Sequence, residues 1–185
     1  MTDTREAAVT AETAPSPPAW RRWTLLGAVV AVGVIADQIT KRIAHAELDP
    51  RTPIEVVPGF FQLRYSRNPG AFFSLGASMS PGVRRAFFVV ATLLAIGLIS
   101  HLYRKAADTQ RALRWALMLL LAGAVGNLID RALYGEVIDF LHLHVKDIFH
   151  WATFNLADVY ITFGLVLLVV DVIKPRKAAP SPSKT

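Results

Sequence analysis

Four long apolar segments constrain this chain more than any other feature of its sequence. They cover residues 23–43, 85–103, 115–129 and 157–173. About 20 helical residues cross the hydrocarbon core of a bilayer, and a helix satisfies its own backbone hydrogen bonds there. The pattern therefore predicts an all-α membrane protein with four transmembrane helices. The third and fourth segments are short by this measure, so we expect the polar residues at their ends to lie at or just below the membrane interface.

The composition agrees with a membrane protein. Of the 185 residues, 53% are hydrophobic and 18% are charged, against about 25% charged in typical soluble domains. The net charge of +6 arises from cations beside the apolar segments, which favours membrane orientation over nucleic-acid binding. Without cysteine, the chain offers no disulfide framework, no thiol nucleophile and no cysteine zinc site.

Basic residues predict the orientation of the spans. They cluster before the first span, in the short loop between the second and third, and after the fourth. Because short cytoplasmic loops carry an excess of Lys and Arg, we expect both termini in the cytoplasm. Arg84 and Arg85, at the other end of the second span, oppose this trend. The polar tails, residues 1–19 and 175–185, are expected to be disordered around a membrane domain of residues 20–174.

In this orientation, polar side chains from three spans meet at the outer leaflet. Ionisable groups are costly within a bilayer, so their occurrence at the same leaflet in several spans indicates a functional site. Asp37 and Lys41 lie four residues apart, and Asn127 and Asp130 three apart, so each pair shares a helix face. The residues that we assign to this site from the spans are Asp37, Lys41, Asn127, Asp130, Arg131, Asn155, Ala157 and Asp158.

Two outer segments have the pattern of strands. Residues 54–65 alternate aromatic or aliphatic with polar side chains near their end, and a turn sequence, Arg67-Asn68-Pro69-Gly70, follows. Residues 137–145 form a second extended run, preceded by Gly135. We therefore expect a small extracytoplasmic β-cradle that rests on the membrane, with its aromatic residues at the depth of the lipid headgroups.

Asp139 and Asp158 are candidates for a catalytic pair. Asp139 lies among apolar neighbours, and Asp158 lies in the first turn of the fourth span. Two carboxylates in a poorly solvated site cannot both ionise easily, so the pair holds one proton. The ionised member can then take a proton from water while the other polarises a peptide carbonyl. We expect the adjacent guanidinium of Arg131 to favour an ionised Asp130, which makes Asp139 the better candidate, although the residues alone leave that choice open.

Simpler structural interpretations exist for the same residues. Asp37 and Lys41 could form an interfacial ion pair in which the lysine extends towards the headgroups. Asp158 could complement the dipole of the fourth helix, and Asp139 could be an exposed loop acid. The agreement of all these residues on one leaflet weakens such interpretations.

Other functions remain as alternatives. A serine–lysine nucleophile would use Lys41 with Ser66 or Ser74. A small transporter or channel subunit would need a polar path to both faces, and a non-catalytic scaffold would use the glycines of the third span for assembly. The candidate ligands of a metal site would be Asp139, His142, His144, Asp147 and His150. The sequence has no helical His-Glu-x-x-His signature to support such a site.

Five motifs in order make the chain resemble the lipoprotein signal peptidase, or signal peptidase II, family. They begin with Asp37-Gln38-Ile39-Thr40-Lys41 and Asn68-Pro69-Gly70-Ala71-Phe72-Phe73-Ser74. Gly126-Asn127-Leu128-Ile129-Asp130-Arg131, Val137-Ile138-Asp139-Phe140 and Phe154-Asn155-Leu156-Ala157-Asp158 complete the set. The resemblance extends from about residue 23 to 173, and the longer N-terminal tail is the departure from the family.

This resemblance implies a four-helix aspartyl peptidase of the bacterial inner membrane, with its active site toward the outer leaflet. Its substrates would be lipid-modified prolipoproteins, cleaved before a cysteine that carries diacylglycerol. Asp139 and Asp158 take the catalytic places. We expect a monomer among membrane lipids, without metal, cofactor or nucleic-acid partner. The supporting places go to Asp37, Lys41, Asn68, Gly70, Asn127, Asp130, Arg131, Asn155 and Ala157.

Overall fold

The structure, a computed structural model, describes residues 19–70, 79–146 and 148–173. The predicted tails lie outside these ranges, apart from Ala19. In chain order the elements are α1 (Ala19–Glu47), β1 (Ile54–Val57), β2 (Phe61–Asn68), α2 (Pro81–Lys105), α3 (Arg111–Tyr134), β3 (Val137–Val145), β4 (Phe149–His150) and α4 (Leu156–Ile173). The four helices are long and apolar enough to cross a membrane. The predicted fold, four membrane helices with a small sheet, is therefore confirmed.

The third helix continues well beyond its apolar segment. It has 24 residues and ends at Tyr134, because Gly135 adopts a left-handed φ of 78° and its N–H bonds to the carbonyl of Arg131. α3 is thus long enough to span a bilayer, unlike the short segment that hydropathy indicates. The polar residues from Asn127 to Arg131 consequently lie on a regular helix, where their spacing fixes which of them share a face.

α3 is the central helix of the bundle. Half of its apolar stretch is buried, against 11% or less in the other three helices, whose exposed apolar faces suit contact with lipid. Small residues let its neighbours approach closely. A Cβ on Gly164 of α4 would lie 2.9 Å from the Ala116 carbonyl, and one on Gly33 of α1 would lie 2.9 Å from the Ala122 Cβ. This close packing brings the polar ends of α1, α3 and α4 together.

The strands form one antiparallel sheet in the order β1-β2-β3-β4. In its register Ser66 of β2 lies opposite Asp139 of β3. Beyond β4, the N–H of Phe154 donates to the carbonyl of Leu141 at 2.9 Å, so the chain stays attached to β3 until α4 begins. The sheet therefore holds β3 beside the first turn of α4. The headgroup depth of its aromatic residues stays a prediction; Phe149 and Trp151 are exposed.

One of the two basic residues that oppose the orientation trend, Arg85, has a structural explanation. The guanidinium of Arg85 in α2 donates to the carbonyl of Ala132 in the last turn of α3. Carbonyls at a helix C-terminus lack intrahelical partners and attract cations. Arg85 is therefore held at this end of the bundle by helix capping, whatever its effect on orientation.

Candidate active site

Asp139 is buried at the centre of the sheet–helix junction. It is 2% exposed, and two carboxamides donate hydrogen bonds to it. The Nδ2 of Asn68 lies 3.0 Å from its Oδ2, and the Nδ2 of Asn155 lies 2.7 Å from its Oδ1. The interpretation of Asp139 as an exposed loop acid is therefore wrong.

Asn68 is oriented by the turn that follows β2. Its Oδ1 accepts the N–H of Gly70 at 3.0 Å, which leaves Nδ2 free to donate to Asp139. Gly70 is buried and has a φ of +88°, a conformation that side chains with a Cβ disfavour. A Cβ at this position would also collide with the ring of Phe88. The remainder of this motif, residues 71–74 with Ser74, lies outside the described ranges.

Asp158 and Asn155 cap α4 reciprocally. The N–H of Asp158 donates to Asn155 Oδ1 at 3.0 Å, and the N–H of Asn155 donates to Asp158 Oδ2 at 3.1 Å. This arrangement is a capping box with an aspartate in the third helical position. The predicted first-turn role of Asp158 is thus present, together with a 2.8 Å hydrogen bond from Asn127 Nδ2 to its Oδ1.

Asn155 joins the two aspartates. It is fully buried; its side chain donates to Asp139 while its backbone N–H donates to Asp158. The carboxyls are therefore neighbours in one polar cluster. Burial, and next the negative charge of Asp158, raise the pKa of Asp139 to about 7, although hydrogen bonds from Asn68 and Asn155 oppose the rise. The geometry and the electrostatics both support a pair that holds one proton near neutral pH.

Lys41 is a buried cation in the same polar cluster. It is 1% exposed, and its Nζ lies 2.9 Å from Asp37 Oδ2 and 2.9 Å from Asp130 Oδ2. It also donates to Asn127 Oδ1 at 2.9 Å. The predicted ion pair with Asp37 exists, but the lysine does not extend to the headgroups. Instead, it links α1 to two side chains of α3.

Each of the two buried acids bound to Lys41 also fixes a backbone segment. Asp37 Oδ1 accepts the N–H of Ala157 at 2.9 Å, which ties α1 to the first turn of α4. Asp130 Oδ2 accepts the N–H of Ile138 at 3.1 Å, directly before Asp139. Both contacts act on the residue next to a member of the aspartate pair. Ala157 is fully buried, so little space remains for a larger side chain there.

Gln38 belongs to the same network, and sequence reasoning did not select it. Its Nε2 donates to Asp130 Oδ1 at 2.9 Å and to the carbonyl of Gly126 at 3.2 Å. Its signal in the sequence was the three-residue spacing from Lys41, which places both on one helix face.

Arg131 lies at the margin of the cluster. Its guanidinium stacks over the ring of Phe88 at 5.6 Å from the centroid, and its positive charge acts on Asp158 and Asp139. A cation in this position favours an ionised carboxylate in the pair.

The competing site chemistries find less support. Within residues 19–70, 79–146 and 148–173, no group of three or more histidines and acids is arranged to hold a metal ion; Asp147 lies outside these ranges. The Nζ of Lys41 is occupied by Asp37, Asp130 and Asn127, so it is poorly placed to act as the base for Ser66. The fully buried charged residues of the described chain are Asp37, Lys41, Asp130 and Asp139, and all of them lie in this cluster. The described residues therefore give little support for the charged path to both faces that a transporter or channel would need.

Comparisons with known proteins agree with this arrangement. The family model described as signal peptidase (SPase) II matches residues 29–174. A lipoprotein signal peptidase of Geobacter metallireducens is 42% identical over 155 residues, covering 84% of this chain and 94% of that protein. One of Janthinobacterium is 44% identical, covering 79% and 86%. A solved bacterial membrane enzyme superposes with a TM-score of 0.71 at 31% identity, covering 83% and 95%. The chain is therefore a multi-pass membrane protein that belongs to the signal peptidase II family.

Proposed function

We propose that this protein is an aspartic endopeptidase that removes signal peptides from diacylglyceryl-modified prolipoproteins. Membership of the family and the names of its relatives support prolipoproteins as substrates. The aspartic mechanism rests on one observation: buried Asn155 hydrogen-bonds Asp139 through its side chain and Asp158 through its backbone. Two carboxyls so close in a buried site can divide the roles of acid and base.

The roles follow from the two environments. Asp139 is almost fully buried and has a pKa of about 7, so we assign it the shared proton. Asp158 is half-buried, so it is more accessible to water than Asp139, and it accepts hydrogen bonds from two N–H groups. Asp158 is therefore the general base, and Asp139 is the general acid.

The reaction needs no covalent intermediate. Asp158 takes a proton from water as the water oxygen bonds to the peptide carbonyl carbon, and Asp139 donates its proton to the carbonyl oxygen. The C–N bond then breaks, and the proton on Asp158 passes to the amine of the lipid-modified cysteine. Asp139 recovers its proton from a hydroxyl of the intermediate, so both carboxyls return to their initial state.

The supporting residues hold this geometry. We assign Lys41, Asp37, Asn127 and Asp130 to the buried network that fixes the backbone beside each aspartate. Asn68, Gly70, Asn155 and Ala157 orient the carboxyls directly or shape their surroundings. Arg131 supplies positive charge beside the two aspartates.

A site at the membrane interface suits such a substrate. Two acyl chains and an apolar signal peptide anchor a prolipoprotein in the bilayer. We place the protein in the bacterial inner membrane as a monomer, with both termini in the cytoplasm and the aspartates near the outer leaflet. Residues 20–174 form the peptidase, and residues 1–19 and 175–185 are tails.

Cleavage by purified variants tests this function. Asp139→Asn and Asp158→Asn should each lower the cleavage rate of a diacylglyceryl prolipoprotein by at least about 10²-fold, because general acid–base groups contribute about 10²–10⁴-fold. Asp171→Asn is a matched control on α4, about 20 Å further along the helix. Full cleavage by either active-site variant, with normal folding, would contradict the proposal, and solute flux in proteoliposomes would favour a transporter.

A further inference from the structure

Three histidines from β3 and β4 form a cluster on the sheet. We call His142, His144 and His150 the histidine triad. Their ring centroids are 5.8, 5.5 and 5.7 Å apart, and their planes differ by 22°, 25° and 3°. The nearly equal distances describe a triangle of parallel rings and not a column. His142 and His144 are 3% and 7% exposed.

The triad contains one contact that depends on protonation. Nε2 of His142 and Nδ1 of His150 lie 3.2 Å apart, so one must carry a hydrogen and the other a lone pair. If both rings are protonated, both nitrogens carry hydrogen and the contact becomes repulsive. The hydrogen bond between β3 and β4 side chains therefore requires at least one neutral imidazole.

The charged groups around the triad can neutralise one protonated imidazole but not two. Nδ1 of His144 donates to the carbonyl of Lys146 at 3.2 Å, and its Nε2 lies 3.3 Å from Glu55 of β1. Glu55 can neutralise a proton on His144, whereas Arg64 of β2 adds positive charge beside His142. Burial, followed by Arg64 and the other imidazoles, lowers the pKa of His142. A second proton is therefore disfavoured while the sheet is intact.

The triad lies in the segment that connects the two aspartates. His142 follows Asp139 by three residues on β3, and His150 pairs with His144 before the chain reaches Asn155. The same segment is held by the N–H of Trp151 on the Leu143 carbonyl. Loosening β4 from β3 would leave the stretch before Asn155 attached to β3 through the bonds of Phe154 with Phe140 and Leu141.

We propose that the histidine triad is a pH-sensitive latch for the active site, which acidification opens by placing a second positive charge between β3 and β4. Its effect on cleavage rests on the proposed function, but the loosening of the β3–β4 segment does not. The chemical signal is the proton concentration of the extracytoplasmic compartment.

The direction of the pH dependence separates this latch from the aspartate pair. An imidazole held neutral in the folded state stabilises the fold above its usual pKa of about 6.5, and this stability is lost as pH falls below that value. Asp139 acts in the opposite direction. Because folding raises its pKa from 3.8 to about 7, its contribution to stability falls as pH rises through that interval.

Hydrogen exchange of the full chain in detergent tests the latch without any need for cleavage. After correction for intrinsic rates, amides of residues 140–146 and 148–154 should exchange at least about tenfold faster at about pH 5.5 than at about pH 7.5, since one pKa unit of linkage is tenfold. In His142→Gln/His150→Gln, which cannot acquire these charges, the difference should be less than about twofold. His45→Gln, whose ring pairs with Tyr65 outside the triad, should behave as the wild type.

A second variant and two further measurements complete the test. His150→Gln alone changes an exposed residue and should show the same loss of pH response if the double variant fails to fold. The ratio of cleavage at about pH 5.5 to that at about pH 7.5 should rise in both variants. Wild-type exchange that is independent of pH, or an equal response in the variants, would overturn the latch. So would an acid response that EDTA abolishes, since a bound cation would then hold the rings.

Discussion

Replacing Asn155 by alanine should affect both stability and catalysis, because this side chain caps α4 and binds Asp139 at the same time. The substitution removes the acceptor for the N–H of Asp158 and the donors to Asp139 and Asn127. Loss of an N-cap costs about 1 kcal/mol, and leaving a buried polar group without its partner costs about 1–3 kcal/mol. We therefore expect the free energy of unfolding to fall by about 2–4 kcal/mol.

The same substitution should raise the pKa of Asp139 further. The hydrogen bond from Asn155 favours the ionised carboxylate and partly opposes the effect of burial. A hydrogen bond to a charged group is worth about 1.5–3 kcal/mol, and one pKa unit corresponds to about 1.4 kcal/mol. The alkaline limb of the pH profile of kcat/KM should therefore move up by about one to two units, and the maximal rate should fall at least about tenfold.

Asn155→Ser separates the two roles of this residue. Serine is as good an N-cap as asparagine, but it is too short to donate to both Asp139 and Asn127. It should recover about 1 kcal/mol of the stability lost in the alanine variant, measured by denaturant unfolding in detergent, while the alkaline limb stays displaced. A serine variant with the wild-type pH profile, or an alanine variant with wild-type stability, would refute this reasoning.

Three further predictions concern the residues around the pair. Lys41→Met should lower the free energy of unfolding by about 3–5 kcal/mol, because two buried carboxylates lose their cation. Arg42→Met, at the next and exposed position, should change this free energy little. Equal effects of the two substitutions in an unfolding assay would count against the network. Gly70→Ala should lower the free energy of unfolding by about 1–3 kcal/mol through strain at positive φ, and it should slow cleavage by displacing Asn68. Gly97→Ala, with open space around it, should have neither effect. An active and stable Gly70→Ala variant would contradict the assigned turn. The rate of cleavage should fall about tenfold per pH unit above about 7 as Asp139 loses its proton, and a rate that is flat to pH 9 would show that this acid is not needed.

Much of the architecture could be predicted from the sequence, because lipid imposes simple requirements. Four apolar runs indicate four helices, although the third and fourth runs are short for a span, and residues 137–145 form β3 with the predicted bounds. The helix bounds could not be predicted from hydropathy. α3 continues past Ile129 through Asp130 and Arg131 to Tyr134, where Gly135 caps it, since a helix ends where its backbone is capped and not where its apolar residues end.

The partners within the site could not be predicted from spacing. Spacing places Asp37 and Lys41 on one helix face, but burial of the lysine depends on carboxylates and amides from α3 that converge only in the folded bundle. The bond from Asn155 to Asp139 joins a helix cap to a strand, and no local pattern in the sequence encodes such a pair. The family resemblance suggested these residues, and the fold supplies the contacts between them.

The central claim, that Asp139 and Asp158 share one proton near neutral pH, can be measured directly by infrared spectroscopy of the protein in detergent. We expect a carbonyl stretch from a protonated carboxylic acid that titrates near pH 7. This band should be absent in Asp139→Asn, and it should titrate at lower pH in Asp158→Asn, where the neighbouring negative charge is removed. A spectrum with no protonated carboxyl above about pH 5, or a band near neutral pH that neither substitution changes, would contradict the central claim.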